Sequence, residues 1–263
     1  MPDWITTQVR GPAFEIVLQR TDKRNAIHWP MLQELGEAID RAEQTAGVRA
    51  VVVRGDGKGF SSGIDLQAFA QLSQTFGENW AANMLNVTGA FQAVVNKFER
   101  CRLPTVALLH GYALGLGLEL ALACDLRIAA VGTKLGLPET RLGLIPDVGG
   151  TTRLTRLIGP ARAKEIILTG KMIDLAQAEH WGLINASVPA DQLIASGDAI
   201  VNDIAQAAPL AVSAAKRVID GIADLDRGLQ LEAWAQRHLI ESDDFQIGVQ
   251  AMLTKSPPHW RGK

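Results

Sequence analysis

The chain has 263 residues, of which 47% are hydrophobic and 21% charged, and its formal net charge at pH 7 is −2. This length can bury a large core without a metal or a disulfide, and the charge balance excludes a sequence-independent nucleic-acid binder, which normally has a basic excess. The two cysteines, Cys101 and Cys124, form neither a disulfide framework nor a metal-binding spacing.

The N-terminus lacks the features of a targeting segment, because residues 1–16 match neither a signal peptide nor a transit peptide. We therefore expect a cytoplasmic protein. One apolar run, residues 103–124, is long enough to cross a membrane, but it contains three glycines and Glu119. A carboxylate at the centre of a membrane helix costs about 2.5–3.5 kcal/mol on insertion scales. We interpret the run as a buried strand, a turn and a helix, and expect no membrane partner.

The first 150 residues alternate predicted strands, glycine-rich turns and helices. This repeated order indicates an α/β fold with a largely buried sheet. In chain order, the patterns predict a hairpin over 9–18, a helix around 31–39, a strand over 48–53, a helical region over 66–99, a strand over 104–109, a turn and helix over 112–124, and a strand over 126–131.

The pattern from about residue 151 onward is mostly helical. The last predicted helix carries large apolar side chains, so it is expected to pack on the body of the fold or on a neighbouring subunit. A non-helical tail is predicted over 256–263. The predicted helices cover residues 151–158, 161–168, 175–181, 190–206, 210–222 and 227–240.

A glycine-rich segment runs from Gly111 to Glu119, where a predicted strand ends and a helix begins. Gly115 and Gly117 suggest a dinucleotide-binding turn, but Leu120 occupies the third glycine position of that motif. The free N–H groups of the helix start instead favour an oxyanion. Glu119 has leucine neighbours, which leaves two interpretations: a structural carboxylate paired with an arginine, or a carboxyl of raised pKa in an apolar cleft.

Two further segments carry candidate chemistry. Ser61 lies in a G-x-S-x-G pattern typical of serine hydrolases, but five residues of glycine-rich loop separate it from the strand, and no histidine carries a triad signature. Glu139 and Asp147 lie among prolines and glycines in tight turns. Alone they would be surface carboxylates, whereas beside Glu119 either could complete a paired-carboxylate site.

Together these segments resemble the crotonase (enoyl-CoA hydratase/isomerase) superfamily over nearly the whole chain. The resemblance implies a catalytic core of β-β-α spiral turns over residues 1–195. It also implies a helical C-terminal region over residues 196–263 that assembles homotrimers or hexamers. The matching segments are residues 20–26, 60–65, 111–125, 138–139, 149–154, 168–170 and 178–183.

The resemblance implies an acyl-CoA thioester as the substrate, with no metal or redox cofactor. Its carbonyl oxygen would be bound by the backbone N–H groups of Ile64 and Leu116. Leu116 stands where the family usually has glycine, and Ile64 where it often has alanine, so both side chains would narrow the pocket. The implied coenzyme A and substrate contacts are Arg24, Ala26, Ser62, Gly63, Ile64 and Asp65.

The resemblance also gives roles to the carboxyl groups. In a hydratase, Glu119 would deprotonate water for attack at C3 of a trans-2-enoyl thioester, and Glu139 would deliver a proton to C2. In a 3,5-2,4-dienoyl-CoA isomerase, the alternative, Glu139 and Asp147 would move the proton. A second alternative is a non-catalytic acyl-CoA-binding relative. The glutamate at position 119 favours the hydratase.

Overall fold

The structure is a computed structural model that describes residues 4–222, 239 and 242–263. Within these residues, a six-stranded sheet of order β1-β2-β3-β4-β6-β8 forms the centre, and β5 pairs with β7 beside it. The first two strands form an antiparallel hairpin, and the other pairings are parallel. The strands are β1 (Ile5–Arg10), β2 (Ala13–Leu18), β3 (Ala50–Gly55), β4 (Thr105–Leu109), β5 (Tyr112–Leu114), β6 (Leu126–Ala130), β7 (Lys134–Gly136) and β8 (Ala186–Val188).

The helices surround this sheet and become continuous in the second half of the chain. Short 3₁₀ turns cover Thr21–Lys23, Leu66–Gln71, Glu139–Leu142 and Ala190–Gln192. The helices are α1 (Trp29–Gln44), α2 (Leu72–Phe76), α3 (Met84–Arg100), α4 (Leu116–Leu122), α5 (Gly150–Ile158), α6 (Pro160–Thr169), α7 (Leu175–His180), α8 (Leu193–Gln206), α9 (Pro209–Gly221) and α10 (Asp243–Thr254).

The central strands are buried on both faces, as their continuous apolar sequences predict. Successive side chains of a strand point to opposite faces. In β3, Val51 and Val53 join the large core cluster with α1, α3 and α4, whereas Val52 joins a second cluster with Leu193 and Val201 of α8. The sheet is therefore covered on one face by the helices that carry the candidate site and on the other by α8.

The α/β fold class, the hairpin and the strands β3, β4 and β6 confirm the sequence predictions, and α5 to α9 agree within three residues at each end. The single helical region over 66–99 was wrong: the chain breaks between α2 and α3, where Gly77 has a φ of 85°. The sequence patterns missed β5, β7 and β8, of three residues each, and α10.

Of the remaining predictions for the C-terminal region, the described residues test only the non-helical tail. Residues 256–263 are non-helical, as expected. The helix predicted over 227–240 lies outside the described residues except for residue 239. The division of the chain at residue 195, which falls within α8, and the assembly into a homotrimer or hexamer stay predictions.

The apolar run over 103–124 is divided among β4, β5 and α4, as the sequence interpretation required. In the part of the chain that the structure describes, no helix has both the length and the apolar character needed to cross a membrane.

Arg127 of β6 is buried and fixes the end of α4 to the sheet. Its guanidinium donates to the carbonyl oxygens of Leu183 (2.8 Å), Ala121 (3.3 Å), Asp125 (3.3 Å) and Cys124. Ala121 lies in α4 and Cys124 follows that helix. One cation therefore links the end of α4 to Leu183 and donates to several carbonyl groups that are close together.

Replacing this cation should destabilise the fold. We expect Arg127→Met to lower the free energy of unfolding by about 3 kcal/mol, since each orphaned buried carbonyl costs about 1–3 kcal/mol. Urea denaturation at fixed protein concentration measures the change. Arg156→Met is the matched control, because that side chain is 55% exposed and should lose less than about 1 kcal/mol. Equal losses in the two variants would contradict the role given to Arg127.

Candidate active site

A cavity of about 440 Å³ lies between α3, α4 and the segment before α5. Its wall is mostly apolar, yet it contains the carboxyl groups of Glu119, Glu139 and Asp147. The structure thus brings together all three carboxyls predicted from the sequence. The apolar wall includes Ile64, Leu72, Val87, Phe91, Leu116 and Leu144.

Glu119 lies in α4 and is only 2% exposed. Its Oε1 accepts hydrogen bonds from the backbone N–H groups of Val148 (2.9 Å) and Gly150 (2.8 Å). Burial raises the pKa of Glu119 to about 8; the two amide bonds act against this shift, and the charges of Glu139 and Asp147 add to it. Glu119 therefore lies in an apolar cleft, and its described hydrogen bonds come from amides and not from an arginine.

Glu139 begins the 3₁₀ turn that follows β7. Burial raises its pKa, and the charge of Asp147 raises it further. Within the described residues, its buried Oε2 has no hydrogen-bond partner. Gly115 makes room for this carboxyl: a methyl group at that position would lie 2.8 Å from Oε1, and the φ of 50° there also favours glycine. The start of α4 therefore approaches Glu139 closely.

Asp147 faces the cavity and is held at two points by α3. Thr88 Oγ1 donates to its Oδ2 at 2.6 Å, and Gln92 Nε2 donates to its carbonyl oxygen at 2.6 Å. The sequence left open whether this carboxylate is a surface group. Its position beside Glu119 and Glu139 makes it part of the site.

Two backbone N–H groups are available at the cavity wall. Ile27 pairs with Ile64 as a parallel bridge, through the carbonyl of Gly63 and the N–H of Asp65, so the N–H of Ile64 points to the opposite side. Leu116 is the first residue of α4, and its N–H has no acceptor within the helix.

The segments that carry these two groups are in direct contact. A methyl group at Gly63 would lie 2.7 Å from the carbonyl oxygen of Leu114 and 3.4 Å from the nitrogen of Leu116. The side chains of Ile64 and Leu116 both line the cavity. The geometry is thus consistent with two adjacent amide donors. The side chains of Leu116 and Ile64 make the cavity wall bulkier than glycine and alanine would at these positions.

Comparison with known proteins identifies the family. A family model described as Enoyl-CoA hydratase/isomerase matches residues 11–263. The chain belongs to the enoyl-CoA hydratase/isomerase family. The fold class and the resemblance predicted from the sequence are therefore confirmed.

Individual members of the family are similar over almost their full length. A crystal structure of enoyl-CoA hydratase from Bacillus anthracis has a TM-score of 0.91 at 35% identity, and covers 99% of this chain and 100% of its own. A Mycobacterium bovis protein named probable enoyl-CoA hydratase is 35% identical over 93% of both chains. A Dictyostelium discoideum protein named mitochondrial Delta(3,5)-Delta(2,4)-dienoyl-CoA isomerase is 31% identical over 93% of this chain and 86% of its own.

The loop implied by the family resemblance to contact coenzyme A lies beside the Ile64 segment. Arg24 is exposed, and both Arg24 and Asn25 adopt left-handed backbone conformations, with φ of 55° and 54°. The N–H of Ser62 donates to the carbonyl of Arg24 at 3.1 Å, which joins the two segments. Ala26 is buried next to them. The coenzyme A contacts themselves stay a prediction.

Asp65 has a structural partner. Arg20 Nη1 donates to its Oδ2 at 2.6 Å and to the carbonyl of Ala26 at 2.8 Å. Burial alone would raise the pKa of Asp65, but the hydrogen bond and charge of Arg20 outweigh it and hold the pKa below its ordinary value. This carboxylate is thus engaged in holding the Ile64 segment to the Ala26 loop.

Ser61 is buried and its hydroxyl is used within its own loop. It donates to the carbonyl of Asn25 at 2.8 Å and accepts from the N–H of Gly63 at 3.1 Å. A methyl group at Gly117 would lie 2.6 Å from the Ser61 Cβ, so the glycine of the G-x-G pattern allows α4 to pack on this loop. The structural role of the Ser61 hydroxyl argues against a serine hydrolase, and the packing role of Gly117 argues against a dinucleotide-binding turn.

Sequence reasoning missed the groups that position the carboxyls. Thr88 and Gln92 belong to no motif; their four-residue spacing places them on one face of α3, but this spacing alone does not indicate a partner. The amide donors at Val148 and Gly150 were likewise not expected. Each acts on a group distant in sequence.

The raised pKa of Glu119 predicts a pH dependence of stability. Its folded-state pKa, about 8, lies above the ordinary 4.5, so the folded state binds the extra proton between these values. The stabilisation from this carboxyl is complete below pH 4.5 and is lost as the pH rises through the folded pKa, by up to about 1.4 kcal/mol per pH unit. Glu119→Gln removes the titration. As the pH rises, the parent chain should therefore lose stability relative to Glu119→Gln, and the unfolding free energy of the variant minus that of the parent should increase.

Urea denaturation from pH 5 to pH 8 measures this difference. Glu165→Gln, on the surface of α6, is the control and should give a constant difference from the parent chain. Parallel stability curves for Glu119→Gln and the parent would show that Glu119 does not titrate in this range.

Proposed function

We propose that the chain is an enoyl-CoA hydratase, which adds water across the C2=C3 bond of a trans-2-enoyl-CoA thioester. One observation carries the proposal: Glu119 and Glu139 share an apolar cavity whose wall includes the amide-bearing residues Ile64 and Leu116. Relatives named as enoyl-CoA hydratases, at 35% identity, support the same reaction.

The two amides would bind the thioester oxygen. Water attack at C3 pushes electrons through C2 onto that oxygen, which becomes an enolate. Preorganised N–H donors stabilise the charge as it develops, and each such donor is worth about 2.7–4 kcal/mol. The N–H groups of Ile64 and Leu116 are suited to this role because neither is committed within its bridge or helix.

The paired carboxyls would supply the proton transfers. Burial raises the pKa of Glu119 to about 8 and also raises that of Glu139, so Glu119 holds a proton in the empty site near neutral pH. The amide bonds of Val148 and Gly150 favour the ionised form of Glu119. By family resemblance we place the base at Glu119 and the acid at Glu139, which requires the proton to pass from Glu119 to Glu139 before water attacks.

The reaction balances with these two groups. The water oxygen bonds to C3 while Glu119 accepts the water proton, and the C2=C3 electrons move to the thioester. The enolate then collapses and takes a proton from Glu139 at C2, giving a 3-hydroxyacyl thioester. The proton on Glu119 returns to Glu139 through solvent, which restores the starting state.

Coenzyme A would extend from the cavity along the joined loops. Arg24 offers an exposed cation for a phosphate, next to the backbone of Ser62 to Ile64. Apolar side chains of the cavity would surround the acyl chain. This acyl-CoA contact, like the homotrimer or hexamer, is inferred from family resemblance.

One observation favours a second reaction, 3,5-2,4-dienoyl-CoA isomerisation. Asp147 lies on the same cavity as Glu139, and a 31% identical relative is named as such an isomerase. In this reaction a carboxylate removes a proton from C2 and a carboxylic acid returns one at the far end of the conjugated system. Glu139 and Asp147 would perform these transfers without adding water.

Ultraviolet absorbance with two substrates tests the proposal. The chain should consume the 2-enoyl band of crotonyl-CoA, whereas growth of a conjugated 2,4-dienoyl band from a 3,5-dienoyl-CoA would support isomerisation. Glu139→Gln should lower either rate by about 10²–10⁴-fold, the usual contribution of a general acid. Asp147→Asn should affect only isomerisation, because its amide oxygen can still accept the hydrogen bond of Thr88, and Glu165→Gln should affect neither reaction.

A chain that converts neither substrate would contradict both reactions. Tight binding of crotonyl-CoA by calorimetry in that case would identify a non-catalytic acyl-CoA-binding relative.

Gly115→Ala tests the contact with Glu139. We expect a loss of hydration of about 10- to 100-fold, because the new methyl displaces the acid from its working position. Gly132→Ala is the matched control: Gly132 also has a positive φ, 90°, but a methyl there meets nothing within 4 Å. Both variants carry backbone strain and only the first should lose activity, as measured by kcat on crotonyl-CoA. Similar activities would place Glu139 outside the reaction.

A further inference from the structure

Helix α3 contributes to the cavity in two ways. Met84, Val87 and Phe91 form part of its apolar wall. Thr88 and Gln92 lie four residues apart on the same helix, and both donate to Asp147. The face of α3 next to the apolar wall is therefore bonded to the segment that leads into α5.

These bonds fix both the side chain and the backbone of Asp147. Thr88 Oγ1 lies 2.6 Å from Oδ2, and Gln92 Nε2 lies 2.6 Å from the carbonyl oxygen. A bond to the carbonyl holds the peptide unit between Asp147 and Val148. The nitrogen of that unit is one of the two donors to Glu119, at 2.9 Å.

A second link from this segment to α3 runs through Arg153 of α5. Arg153 donates to the carbonyl of Val148 at 3.2 Å and to Glu99 Oε2 at 2.9 and 2.7 Å. Asp147 and Val148 thus have two links to α3, one direct and one through Arg153. Both links lie next to the Val148 N–H that donates to Glu119.

We propose that Thr88 and Gln92 are positioning residues for Glu119, which they orient through Asp147 and the amides at Val148 and Gly150. The inference rests on the proposed hydratase for its catalytic meaning. Neither side chain need touch the reacting atoms. A displacement of about 1 Å in a catalytic group can lower a rate by about 10²-fold. The hydrogen bonds from α3 to Asp147 can therefore affect the reaction rate through the neighbouring amide that donates to Glu119.

Thr88→Val and Gln92→Leu remove the donors at nearly constant volume. We expect kcat on crotonyl-CoA to fall about tenfold or more in each, with KM changed less than about twofold, because orientation and not substrate affinity is lost. Thr88→Ser keeps the hydroxyl and should restore kcat. Lys97→Ala is the matched control on α3; it loses an ion pair with Asp40 and a hydrogen bond to the carbonyl of Gly36, neither of which lines the cavity, and it should retain activity.

Hydrogen exchange provides a readout that does not depend on catalysis. In Thr88→Val and Gln92→Leu, the amides of the peptide spanning 146–151 should exchange about tenfold faster, since a donor to this segment is lost. The Thr88→Ser and Lys97→Ala proteins should exchange like the parent chain. Mass spectrometry of the exchanged peptide measures this.

The outcomes separate the two proposals. Unchanged exchange over 146–151 in both donor-removing variants would overturn the positioning role, whatever the activity. A loss of kcat that Thr88→Ser fails to restore would also overturn it, since packing would then be the cause. A parent chain that does not hydrate crotonyl-CoA would overturn the proposed function alone, and exchange would still decide the positioning role.

Discussion

The site depends on one constraint: the carboxyl group of Glu119 is kept out of water and is held by two backbone amides. Withdrawing an ionised carboxylate from water costs several kcal/mol, and within the described part of the chain the N–H groups of Val148 and Gly150 supply the hydrogen bonds that offset that cost. The carboxyl consequently retains its proton to higher pH than a solvated glutamate. The rest of the architecture keeps this arrangement in place, since Arg127 ties the end of α4 to the sheet and α3 holds the amide segment.

Close approach of backbone segments makes this possible, and glycine permits the approach. A methyl group at Gly150 would lie 2.8 Å from Glu119 Oε1, and one at Gly115 would lie 2.8 Å from Glu139 Oε1. Gly117 lets α4 pack on the Ser61 loop. The G-x-G spacing therefore has a steric origin here. The same pattern supports a phosphate-binding interpretation only when its third glycine and a distant acidic residue are also present.

Structural features that depend on interactions between residues close in sequence could be predicted, whereas those that depend on residues far apart in sequence could not. Strand β3 is predictable because its continuous apolar run is a local signal, and α5 because glycines precede and follow its helical pattern. Strands β5 and β7 have three residues each and exist through their pairing with each other. Glu119 stood out as a carboxyl in an apolar run and Glu139 through resemblance. Thr88 could not be found in this way, because its partner Asp147 lies 59 residues away and a threonine in a helix is unremarkable.

Glu119 and Glu139 share a cavity of about 440 Å³ with Asp147, and carboxylates so close to one another repel each other strongly when ionised. Asp147 accepts a hydrogen bond from Thr88 that stabilises its charge, and that charge in turn raises the pKa of Glu119 and Glu139. Hydration and isomerisation would use different pairs of these groups, Glu119 with Glu139 or Glu139 with Asp147. The choice between the two reactions then depends on whether a water molecule fits beside C3 once the acyl chain is bound. Leu116 adds side-chain volume to the wall next to the amide donors, so it limits the space in which that water must fit.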